Sequence, residues 1–168
     1  MATDRTRRSF IYAIGGASVL GTATASVGAS NGSGPPVSGS GTGMITNLEV
    51  FPVREVGGNV FEDRILRGTV SGTLDGTFEQ NVSGMVHKNG RVVFRGTMSF
   101  AGTLEDCDEG TINLAVSGRG HIPTPGFPIT EASVRVINQP ANTIDATGTG
   151  TVFQEGPQLT YEIQYVCR

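Results

Sequence analysis

Tryptophan is absent from the 168 residues, lysine occurs once, at Lys88, and charged side chains make up only 16% of the chain. A helix-rich protein would carry more Leu, Glu and Lys; the 25 glycines suit an all-β chain with many turns. The formal net charge of −3 supplies no basic footprint, so nucleic acid is excluded as a partner. The apolar run from Phe10 to about Leu20 is too short to span a bilayer and is softened by Gly15 and Gly16. There is no zinc pair, phosphate loop or dinucleotide fingerprint. No residue set therefore amounts to a reaction, and no cofactor is expected. The length suits one domain with a real core.

What is present begins with an address. Thr6-Arg7-Arg8-Ser9-Phe10 places two arginines before the short apolar run, and small residues follow it. This fits a twin-arginine export signal of prokaryotes, with cleavage near Ala25 or Ala29. The expected location is secreted or on the cell surface, with the twin-arginine export machinery as a partner. No cysteine lies near the cleavage region, so a lipid anchor is not indicated. The expected organisation is a signal peptide over 1–29, a Gly/Ser/Pro-rich linker over 30–42, and a folded domain over 43–168. Sequons occur at Asn31 and Asn81, the second in the middle of a strand.

Arg91–Leu104, RVVFRGTMSFAGTL, organises the folded domain. Val92, Phe94, Met98, Phe100 and Leu104 fall on one face and Arg91, Arg95, Thr97, Ser99 and Thr103 on the other, the signature of one long strand. The neighbouring segments repeat the pattern: Met44–Val53, Ile65–Leu74, Thr77–His87, Thr111–Gly118, Ala132–Ile137, Ile144–Phe153 and Gln158–Cys167. Asp75-Gly76 and Asn89-Gly90 read as two-residue hairpin turns. Pro52 suits a strand end or an edge, Glu55–Asp63 reads as a polar loop, and His121–Pro128 as a proline-rich one. The sum is an all-β fold, a single closed or nearly closed antiparallel β-barrel of about eight strands.

Alternating strand direction sorts the ends. The strand before Cys107 and the strand ending at Cys167 both run downward, so the two cysteines share the bottom end and can form a disulfide, as an exported chain favours. Glu55–Asp63, His87–Gly90, His121–Pro128 and Glu155–Pro157 share the top. His87 and His121 are the candidate proton-transfer or metal residues there, though no third ligand is marked by spacing and no metal site is expected. Glu105–Gly110 clusters carboxylates but lacks the alternation of a calcium loop. Phe94, Met98, Phe100, Leu114, Val116, Tyr161 and Tyr165 share an apolar phase and are the candidates to line a lumen, either filling it or holding a ligand.

Arg95–Gly118, RGTMSFAGTLEDCDEGTINLAVSG, and Gly148-Thr149-Gly150 resemble the G-T, F-x-G-T-L and G-T-G strings of small secreted barrels related to allene oxide cyclase and the dirigent proteins. The resemblance implies an eight-stranded barrel with a hydrophobic cavity, often as a homo-oligomer, and carries over no catalytic residue. The reading is an exported barrel, leaning non-enzymatic, with a small apolar ligand in its lumen. One alternative is an isomerase, cyclase or dirigent-like protein acting on a reactive lipid or phenolic intermediate. The other is a structural cell-surface module.

Overall fold

The computed structural model describes residues 8–10, 34–123 and 128–168. It is all-β: β1 (Arg8–Phe10), β2 (Val37–Val56), β3 (Asn59–Gly72), β4 (Leu74–Val86), β5 (Arg91–Leu104), β6 (Glu109–His121), β7 (Ile129–Val136), β8 (Ala146–Glu155) and β9 (Gln158–Cys167). Each strand pairs antiparallel with the next, and β9 returns to pair with β2, so β2 to β9 form a closed eight-stranded barrel. Closure removes the two open edges that a flat sheet would expose.

The β5 alternation is realised as expected. Val92, Phe100 and Leu104 are buried while Arg91, Arg95, Thr97, Ser99 and Thr103 are exposed. Even-numbered residues of β5 therefore face inward. Through the register so do Phe78, Gln80 and Val82 of β4 and Ile112, Leu114 and Val116 of β6. The main core gathers Phe100, Leu104, Ile112, Val134, Ile144 and Tyr165 among others; a second cluster holds Ile45, Leu66, Phe78 and Val82. Outside the barrel, Arg67 is held between Glu49 and Glu79 at 2.8 and 2.7 Å.

Several boundaries differ from those read along the chain. The barrel begins at Val37, so Val37–Thr42 belongs to β2 and pairs with Tyr165–Thr160 instead of serving as linker. Composition hides this strand because its inward positions need the absence of a side chain: a Cβ at Gly41 would collide with the Ser71 carbonyl and the Tyr161 hydroxyl. Pro52 does not end β2, which absorbs it at a register shift between Pro52 and Arg54 and runs on to Val56. The loop expected over Glu55–Asp63 shrinks to Gly57-Gly58, whose φ values of 59° and 78° make a tight primed hairpin turn. Asp75-Gly76 is not a turn; it pairs in the ladder with Thr103 and Gly102, and the β3–β4 corner lies at Thr73. β6 starts earlier and runs later than expected, to His121, where it pairs with Arg91.

Arg8–Phe10, within the expected export signal, pairs with Leu48–Val50 of β2. Arg7, the cleavage candidates Ala25 and Ala29, Asn31 and residues 124–127 of the proline-rich loop lie outside the described residues.

Candidate functional site

The site is built on the inward phase of the strands. A cavity of about 60 Å³ lies inside the barrel. Of the seven lumen candidates, Phe94, Met98, Phe100, Leu114, Val116 and Tyr161 line it. They are joined by Ile45 of β2, Leu66 of β3, Val134 of β7 and Val152 of β8, so the lining is contributed from all around the barrel. No lining residue carries a charge.

Tyr165 does not line the cavity. It lies four residues beyond Tyr161 on the same face, about 13 Å further along an extended strand. There it packs into the core and its hydroxyl donates to the Glu105 carbonyl at 2.9 Å. It seals the floor. Tyr161 stands one level higher: its hydroxyl accepts the Leu74 N–H at 2.8 Å and lies 3.2 and 3.1 Å from the Ser71 and Leu74 carbonyls, to which it donates. Burial pushes the ionisation of both tyrosines up. The Leu74 contact partly offsets this for Tyr161, whereas Asp106 and Glu105 add to it for Tyr165.

Thr73, whose side chain lies against Gly39, completes this end. Its N–H donates to the Ser40 carbonyl at 3.1 Å and its carbonyl accepts the Glu105 N–H at 2.9 Å. Its hydroxyl accepts from Ser40 and donates to the Glu105 carboxylate, both at 3.2 Å. Cys107 and Cys167 meet at this same end as a disulfide, with Cα atoms 5.7 Å apart. The strand-parity argument for this pair holds.

The polar groups of the lumen sit elsewhere. Thr130 at the start of β7 donates to Gln154 near the end of β8 at 3.1 Å, and the Gln154 amide donates to the Gly156 carbonyl at 2.8 Å. These groups are spent on one another at the top end. Gln80 differs: it faces inward between Leu66 and Met98 on the flanking strands, and its side-chain amide hydrogen-bonds no other described residue. Its position between Phe78 and Val82 was legible in the alternation of β4. Thr130 and Gln154 carried no such signal, because their pairing depends on the β7–β8 register.

The two histidines are at the top, as strand parity requires. His121 is exposed beside Arg91, the residue it pairs with across the β5–β6 ladder; His87 closes the β4–β5 hairpin through its N–H to the Arg91 carbonyl at 2.8 Å. Neither lines the cavity. Among the described residues no group of three His, Cys, Asp or Glu side chains is arranged to hold a metal ion. No protein-family model matches the chain, and no curated protein matches it.

Proposed function

We propose that the protein is an exported β-barrel that holds a small, mostly apolar molecule in its lumen. The observation that carries the reading is a cavity whose walls are apolar on every strand but whose polar floor is closed by side-chain and backbone hydrogen bonds. Apolar cavities of roughly 150 Å³ admit benzene or xenon. At about 60 Å³ this one suits an occupant of only a few heavy atoms. Export rests on Arg7-Arg8 ahead of the short apolar run, and the disulfide suits an oxidising compartment.

Xenon is a probe of the right size and chemistry. Saturable NMR shifts confined to the methyl groups of Ile45, Leu66, Val116 and Val134, and abolished by filling the cavity with Ala132→Leu, are expected. Shifts that are absent, or scattered over the outside, would overturn the ligand. Export is tested separately by replacing Arg7 and Arg8 with lysine, which should hold the precursor inside its own host cell.

A cyclase-like reading draws on the resemblance to allene oxide cyclase and dirigent barrels, but it lacks support from the histidines, which lie off the lumen. A structural surface module draws on Val53 and Val56, exposed near the tip of the β2–β3 hairpin at 62% and 55%. Saturable xenon binding separates that module from a carrier.

A further inference from the structure

Gln80 occupies a position at which the surroundings favour an aliphatic side chain. Leu66 and Met98 flank it across the ladders, and Phe78 and Val82 are its inward neighbours along β4. A partly buried amide costs free energy when its donor and acceptor go unused. Every other polar side chain lining the cavity is engaged: Thr130 with Gln154, Gln154 with Gly156, and Tyr161 with the β3–β4 corner. The nearest charged pair on the inward face of β3, Glu62 and Arg64, is self-neutralised by a hydrogen bond of 2.6 Å. Neither residue lines the cavity.

From this arrangement we infer that Gln80 is the specificity-determining residue of the lumen, and that the ligand is a small neutral molecule bearing one carbonyl or hydroxyl group on an apolar body. The amide offers one donor face and one acceptor face, so it serves either group. A carboxylate is disfavoured, because the lining supplies no cation to compensate its desolvation. This inference rests on the lumen-binding proposal above and deepens it.

The test titrates the folded protein with acetone and with its near-isostere isobutane, followed by the lumen methyl resonances, in the natural chain and in Gln80→Leu and Gln80→Met. Water itself favours transfer of the hydrocarbon, so the informative quantity is the ketone-to-hydrocarbon affinity ratio. One net hydrogen bond corresponds to about fivefold. That ratio is expected to fall by about this factor in both variants while xenon binding persists, which also reports that the lumen is still formed. An unchanged ratio in both variants overturns the role of Gln80, leaving its amide served by water. Acetate, matched to acetone in size but charged at pH 7, should leave the resonances unmoved; its binding overturns the neutral-ligand assignment. Failure of the natural chain to take up xenon or isobutane falls on the lumen reading itself.

Discussion

Tyr161 joins two jobs in one side chain. Its ring forms part of the lumen wall and its hydroxyl fastens the β3–β4 corner through the Leu74 N–H. In Tyr161→Phe that N–H loses its partner, so a loss of about 1–3 kcal/mol is expected from urea unfolding at pH 7. The same residue shapes the alkaline limb. Burial holds its folded ionisation above the ordinary value of 10.0, so the unfolded chain releases its proton first. The stabilisation is complete below pH 10 and is lost as pH rises through the folded value. Unfolding free energy measured from pH 9 to 11 should therefore fall in the natural protein and fall less steeply in Tyr161→Phe. That Tyr161 and Tyr165 point the same way was legible from their spacing in β9. That one lines the lumen and the other seals the floor was not, since spacing does not reveal where along the barrel axis the cavity ends.

At the scale of the element, β2 is the instructive strand. Its first six residues are mostly glycine and serine, a composition that normally marks a linker. They form a strand because Gly39 and Gly41 let the backbone approach Thr73 and Tyr161, where any Cβ would collide. Gly41→Ala is expected to cost about 1–3 kcal/mol, the range of an overpacked interior, and to loosen the β2–β9 seam. Ser38→Ala, at an exposed neighbouring position, should stay within about 0.5 kcal/mol. Urea midpoints and amide exchange of Val37–Met44 check both. The β5 and β9 boundaries, Arg91–Leu104 and Gln158–Cys167, match the reading of the chain because apolar and polar side chains alternate along them. Asp75-Gly76 misled for the opposite reason. A strong local turn signal was overridden by the β4–β5 ladder, which needs Gly76 opposite Gly102.

At the scale of the molecule, the disulfide ties the end of the last strand to the β5–β6 turn across 60 residues. In the chain-entropy account, a loop of that length contributes roughly 4 kcal/mol by restricting the unfolded ensemble. A Cys107→Ser, Cys167→Ser double variant should lose about that much in urea unfolding. Its β2–β9 hydrogen bonds should also exchange faster, because β9 is then held by its ladders and by the Tyr161 and Tyr165 hydroxyl contacts, without a covalent tie. A loss below about 1 kcal/mol would mean that the floor network alone fixes this end.

By itself the sequence determined the number of barrel strands, the inward phase of β5, β6 and β9 and the shared end of the two cysteines. All of these follow from a side-chain period of two and strict up–down alternation, which are properties of the chain. Only the tertiary structure decided that Val37–Thr42 closes the barrel, that the lumen stops above Tyr165, that the histidines stand outside it and that Gln80 finds no partner among the described residues. Those outcomes depend on register and barrel closure, which bring together backbone and side chains far apart along the chain.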